Sequence, residues 1–218
     1  MCCKTNWPII EVTVRLDQII AQNQSCYMYS HMIIISLQSK KYSAKNIWGK
    51  QRFDNLLVLA WSCFIGDKLG SIVFVDSTVK QETYISILKE NFLSFFDILH
   101  SDNFNIPLEF VQDNAHPHIA AKTQNWFKVI AVKNNLTIMK WPPNSSDINL
   151  IEQLRAHLKY ELYWRFPDTT SLKGSAEYIK SMLRQWLHTV WWDIGIDLLN
   201  HLINSMLKHV KVLAKEHS

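Results

Sequence analysis

Three carboxylates stand out by position in this chain of 218 residues. Asp17 closes the alternating segment IIEVTVRLD, which reads as a strand, and Asp113 closes a second strand-like segment, LEFVQD. Glu152 falls in the first turn of a segment with helical periodicity that follows a strand. Carboxylates at strand ends and at a helix start can converge at one edge of a sheet. Without a Cys or paired-His ligand set beside them, three such groups make a hard-oxygen site suited to Mg2+ or Mn2+. Two ions about 4 Å apart can activate a water or hydroxyl and steady the leaving oxygen in a phosphodiester displacement. The plainer alternative is that each acid is a cap or a solvated charge.

Other polar residues carry two readings each. His116 and His118 could hold a metal, but an i, i+2 pair after a strand is more often a turn with surface imidazoles. Glu152, Arg155 and Lys159 share one helical face, with Ile151, Leu154, Leu158 and Leu162 on another. That face is either a solvated surface with an ion pair, or a place where Arg155 and Lys159 meet DNA phosphates beside the acids. Trp126, Trp186, Trp191 and Trp192 lie in or beside apolar helical stretches and are expected mainly in the core.

Composition narrows the classes of function. Hydrophobic residues are 48% and charged residues 19%, enough to bury a core and too apolar for a disordered chain. With 5 glycines and 6 prolines, there is neither a flexible linker nor a glycine-rich phosphate loop. A nucleotide cofactor is therefore not expected. The net charge of +4 permits a nucleic-acid partner without requiring one. The 4 cysteines form no CxxC pair, which fits a reducing compartment. Leu56 to Ile65 is too short to span a bilayer, and Lys4, Glu11, Arg15 and Asp17 interrupt any signal-peptide core. A soluble intracellular protein with no membrane partner is expected.

The elements that must position the acids follow from periodicity. Strands are predicted at 9–17, 32–36, 56–64 and 71–76, the last two joined as a hairpin through IGDKLG. A helix runs from about Lys80 to Leu99, with Tyr84, Ile87, Leu88, Phe92, Phe95 and Phe96 on its apolar face. Then come a strand at 108–113, a helix from Ala120 to about Val132, and a strand at 136–141 stopped by Pro142 and Pro143. Asp147 is placed to cap a helix over 150–164, and helical stretches follow at 174–190 and 195–213. Strands first, then alternation, then helices alone describe an α/β domain with a mixed sheet and a helical C-terminal part.

Three blocks carry a resemblance. VQDNAHPH at 111–118, NWF at 125–127 and KWPPNSSDINLIEQL at 140–154 resemble the catalytic domain of mariner-type transposases of the DDE superfamily. In that family a QDNAxxH block and a WPPxSPDLNPIE block carry the second and third catalytic acids, which match Asp113 and Glu152. LVLAWSCF, YISILKENFLSFF, VWWDIG and LINSM extend the likeness over about residues 42–213. The family's first acid follows a Trp in a strand reading VIFSDE. Asp17, in TVRLDQ after Trp7 and 96 residues before Asp113, is matched to it here. His118 falls on the histidine of QDNAxxH, near the metals without being a ligand, and Asn114 is expected to hold the loop beside Asp113.

The resemblance implies a ribonuclease H-like mixed sheet flanked by helices over 1–165, of which 1–41 match least, with a helical C-terminal extension over 166–218. It implies DNA strand cleavage and strand transfer with two Mg2+ or Mn2+ ions on Asp17, Asp113 and Glu152, work on DNA in the nucleus, and a homodimer as one allowed assembly. The departures are specific. SPDLNPIENLW has become SSDINLIEQLR, and 38 residues separate Asp113 from Glu152, more than the family's usual interval. The extra residues are expected in a surface turn at KVIAVKNN, 128–135. The chain starts about where the family's catalytic domain starts, so end recognition by an N-terminal helix-turn-helix is expected to be absent or supplied elsewhere. These changes leave open a decayed or repurposed transposase that folds, and binds DNA or a protein, without cutting.

Overall fold

The computed structural model describes residues 26–36, 57–76, 78–101, 108–139, 149–170 and 172–216. The predicted strand at 9–17 with Asp17, the Pro142–Pro143 stop and Asp147 lie outside these residues. The first described strand, β1, spans Cys26–Ser36 and is the middle of a six-stranded mixed sheet. It pairs antiparallel with β2, Leu57–Ile65, and parallel with β5, Leu108–Val111. On one side, β2 also pairs with the short β3, Lys68–Leu69, and β4, Val73–Val75. On the other, β5 pairs parallel with β6, Leu136–Ile138.

Strand β1 begins six residues before the predicted 32–36. Its first half, CYMYSH, has no apolar run, yet Met28 and Ser30 are both buried, Met28 within the aromatic core on one face of the sheet. The 71–76 segment forms a strand only over Val73–Val75, because Gly70 brings the chain into close contact with β2. Its N–H donates to the Cys63 carbonyl at 2.9 Å, and a Cβ at this position would collide with Cys63 Sγ.

Two layers of helices cover the sheet. On one face lie α1, Gln81–Ile87, a π-helical turn at Leu88–Phe92, and α2, Leu93–Ser101. The predicted continuous helix is thus interrupted by one wide turn, which still buries Leu88 and Phe92. The short α3, His116–Ile119, and α4, Ala121–Asn134, complete this layer. The segment 128–135 is not a surface turn. Its residues are the last turns of α4 and the left-handed cap at Asn135, φ 49, whose N–H donates to the Ala131 carbonyl.

The other face carries α5, Leu150–Arg165, α6, Ala176–Trp192, and α7, Ile196–Glu216. Alternation along β2 divides the two cores. Val58, Ala60 and Phe64 pack with Leu154, Leu158, Leu183 and Leu187, whereas Trp61, Cys63 and Ile65 pack with Tyr84, Phe92, Phe110 and Phe127. Trp191 is buried, as expected, and its indole N–H donates to the Gly70 carbonyl at 2.9 Å. Trp192 at 50% and Trp164 at 69% are exposed.

Candidate functional site

Asp113 lies two residues beyond the end of β5 rather than within it. There the chain turns sharply, and one carboxylate oxygen organises the turn. Oδ1 accepts the Ala115 N–H at 3.0 Å and lies 2.5 Å from Nδ1 of His118. Nδ1 also lies 3.3 Å from the Asp113 backbone carbonyl, which can only accept, so Nδ1 is the donor of this contact. His118 is buried at the aromatic face, 4.2 Å from the Tyr84 ring between centroids, and its Nε2 is buried with no hydrogen-bond partner among the described residues. The imidazole is therefore fixed by packing and by the contacts of Nδ1 with the carboxylate and backbone carbonyl of Asp113.

A second layer holds this arrangement. The Tyr84 hydroxyl donates to Gln112 Oε1 at 2.7 Å, fixing the residue next to Asp113 from the same helix layer. Burial pushes the Tyr84 phenol far above its ordinary range, with Ser30 opposing and the Asp113 charge adding to the rise, so it stays a donor. Behind the turn, Thr123 Oγ1 donates to the Pro117 carbonyl at 2.7 Å and Gln124 Nε2 to the His118 carbonyl at 2.8 Å. Asn114 is exposed, and Asp113 and His118 both tie the loop. Neither Tyr84 nor Gln112 was singled out from sequence. Tyr84 counted there as one more apolar-face residue, and the only available signal was that it alone on that face carries a hydroxyl.

Glu152 sits in the first turn of α5, where the unpaired N–H groups and the helix dipole favour a negative charge. Leu150, Ile151 and Leu154 are fully buried around it, so the helix start is pinned to the sheet. Helix α5 packs on β1, and Val111, two residues before Asp113, shares a core with Ile151, next to Glu152. Asp113 thus follows a strand and Glu152 opens a helix that packs on the sheet. The Glu152 carboxylate meets Arg155 Nη2 at 2.6 Å, so the ion pair expected of a solvated helical face is present. The side chains of Asp113 and Glu152 are 31% and 18% exposed, and Lys159, one turn beyond Arg155, is half-buried.

These carboxylates are of the right donor type for a hard divalent cation. Among the described residues, no group of three His, Cys, Asp or Glu side chains is placed to hold a metal ion. Asp17, the third acid expected from sequence, is not among them.

A mixed sheet of this order, covered by helices on both faces, is a ribonuclease H-like fold, as the sequence led us to expect. Solved structures agree on that fold. The Mos1 transposase catalytic domain with Raltegravir and Mg matches with a TM-score of 0.61 at 10% identity, covering 99% of this chain and 96% of that one. A Mos1 paired-end complex with the left transposon end matches at 0.61 and 13% identity, over 95% of this chain and 59% of that one. In sequence the relatives are Tc1/mariner transposases at low identity. The Tc3 transposase of Caenorhabditis elegans is 26% identical over 163 residues, covering 73% of this chain and 44% of the relative. The Tcb1 transposase of Caenorhabditis briggsae is 23% identical over 156 residues, covering 72% and 50%. The chain spans about half the length of these relatives. No protein-family model matches it.

Proposed function

We propose that this chain is the catalytic portion of a Tc1/mariner-type transposase, cleaving DNA strands and transferring them to a target. What supports the reading is a ribonuclease H-like sheet with Asp113 just beyond β5 and Glu152 in the first turn of α5, in a chain whose relatives are transposases. Asp113 and Glu152 would hold Mg2+ or Mn2+, with Asp17 as the third carboxylate named by the sequence. When bound, two such ions would activate the attacking water or 3′-hydroxyl and steady the leaving oxygen.

The chain's own groups supply the rest. His118 keeps the Asp113 carboxylate in one orientation, and the start of α5 presents Glu152 at a fixed height above the sheet. Arg155 and Lys159 would meet DNA phosphates, with Arg155 exchanging Glu152 for a phosphate when metal takes the carboxylate. Mos1 has been captured with paired transposon ends. A comparable role here implies DNA as partner, two copies of the chain, and work in the nucleus. Residues 1–165 would form the catalytic unit and 166–218 its helical extension.

One observation favours a second reading, a decayed or domesticated remnant that does not cut. Glu152 is already neutralised by Arg155 at 2.6 Å, an arrangement stable without any metal. Nicking of a supercoiled plasmid by the full chain in Mg2+ or Mn2+ decides between the two. The enzyme reading expects metal-dependent nicking that Asp113→Asn and Glu152→Gln each reduce by several orders of magnitude. Nicking that is absent, or that survives both substitutions, leaves the remnant.

A further inference from the structure

Helix α5 carries two aromatic rings that neither core uses. Its buried face is Leu150, Ile151, Leu154, Leu158 and Leu162. Tyr160 and Trp164 lie off that face, 64% and 69% exposed. Four residues apart, they are neighbours along one side of the helix, with Cβ atoms about 5–6 Å apart. Ala156, one turn before Tyr160, is exposed on the same side. Among the described residues, neither ring stacks on another or makes a hydrogen bond. Phe166, two residues beyond Trp164, shows the contrast: it is half-buried and stacks on Trp186 with centroids 4.7 Å apart. Large rings left bare in this way are characteristic of binding surfaces.

The charges beside them select the occupant. Both carboxylates of α5 are tied to arginines, Glu152 to Arg155 at 2.6 Å and Glu161 to Arg165 at 2.8 Å. Arg165 also takes Asp193, the residue after α6, at 2.6 Å. Lys159, next to Tyr160, makes no ion pair among the described residues. The aromatic side of the helix is therefore flanked by a free ammonium and by carboxylates already neutralised, which suits a polyanion. A duplex hides the faces of its bases in its own stack. An unpaired strand offers both those faces and its phosphates.

We propose that this side of α5 binds an unpaired DNA strand, with bases stacked on Tyr160 and Trp164 and a neighbouring phosphate on Lys159. The proposal rests on the transposase reading, which supplies DNA as the partner, and adds the form of DNA that α5 receives. The rings stand about 12 and 18 Å along the helix axis from Glu152, so the strand would run along the helix that opens with that acid. A second copy of the chain is the other occupant that bare aromatic rings suit, and the free lysine argues against it.

Fluorescence anisotropy of the full chain with a labelled oligothymidylate, and with a blunt duplex of the same length, tests this. The buffer contains EDTA, so neither metal nor cleavage enters, and the nicking assay can fail with this binding intact or succeed without it. Both rings are exposed, and circular dichroism verifies that each variant is folded. We expect Trp164→Ala and Tyr160→Ala each to weaken the oligothymidylate about 5- to 150-fold, the loss of one stacked base. Trp164→Phe should retain most of the affinity, and none of the three should alter duplex binding. Unchanged oligothymidylate affinity in both alanine variants overturns the proposal, and so does an equal loss for duplex and single strand. A wild-type dimer in sedimentation that Trp164→Ala dissociates, with oligothymidylate binding unchanged, overturns it in favour of a second copy.

Discussion

The two faces of the sheet hold one acid each, by different means. On the face covered by α1 to α4 the core is aromatic: Phe92 meets Phe110 with centroids 4.7 Å apart, Phe110 meets Phe127 at 5.2 Å, and Tyr84 meets His118 at 4.2 Å. On the face covered by α5 to α7 it is mostly aliphatic, built on Leu150, Ile151, Leu154, Leu158, Leu162, Leu183 and Leu187. The aromatic layer ends in a polar fastening, His118 to Asp113 and Tyr84 to Gln112, with His118 and Tyr84 buried. The aliphatic layer ends in an ion pair, Glu152 to Arg155. Asp113 is held through a buried imidazole and the Ala115 N–H, with its own carboxylate 31% exposed. Glu152 is held by the placement of its helix and by Arg155, with its carboxylate 18% exposed.

The largest expected effects come from cutting into each core. Phe110→Ala should lose about 3–5 kcal/mol and Leu158→Ala about 2–5 kcal/mol, read from urea unfolding of the full chain. The comparison is sharpened by the folded fraction that remains. Phe110 lies on the strand leading to Asp113, so Mn2+ affinity should fall with it, whereas Leu158 is nearly two turns beyond Glu152 and should leave it unchanged. Equal losses of metal affinity in the two variants would break the division of labour between the faces.

The same contrast explains what could be read from sequence. Helices α5 to α7 were legible because their burial follows a helical period, as at Ile151, Leu154, Leu158 and Leu162, and strand β2 because its apolar run is nearly unbroken. Strand β1 was legible only at its apolar end. A central strand is buried on both faces and loses its alternation, so CYMYSH carries no strand signal of its own. Asp113 and Glu152 were recognisable from the residues flanking them. The fastening of Asp113 was not, because Tyr84 is 29 residues away and its hydroxyl finds Gln112 only when α1 packs on β5. The π turn at Leu88–Phe92 was hidden for a related reason, since one extra residue per turn scarcely alters an averaged helical pattern.

Intermediate effects come from the fastening itself. His118→Ala removes the donor to Asp113 and leaves a buried gap, and should cost about 1–3 kcal/mol. Tyr84→Phe keeps the ring beside His118 and removes only the hydroxyl, so about 1 kcal/mol is expected. If the fastening orients Asp113, both variants should weaken Mn2+ binding, with His118→Ala the stronger. Full Mn2+ affinity in a folded His118→Ala protein would show that the bond stabilises the turn without orienting the carboxylate.

The smallest effect lies on the aliphatic side, far from the acids, and contrasts an exposed tie with the buried one. Arg184 of α6 reaches across to Asp76, the residue after β4, and the Asp76 carboxyl is held below its ordinary value. The hydrogen bond from Arg184 is the main cause, its charge adds, slight desolvation opposes, and Lys180 contributes last. A carboxyl lowered in the folded state contributes stability above its unfolded value, and that contribution is lost as pH falls through the folded value. Asp76→Asn should therefore melt slightly below wild type at about pH 7, and the two curves should converge as the pH falls through the lowered value of the Asp76 carboxyl. Added salt should shrink the neutral-pH gap, because an exposed pair is screened. His118→Ala, at fixed pH, should keep more of its deficit in salt, because the His118 side chain is buried and its loss also removes packing. A gap for Asp76→Asn that persists undiminished in acid would mean that the asparagine acts through packing at the end of β4, and that the exposed tie contributes nothing through its charge.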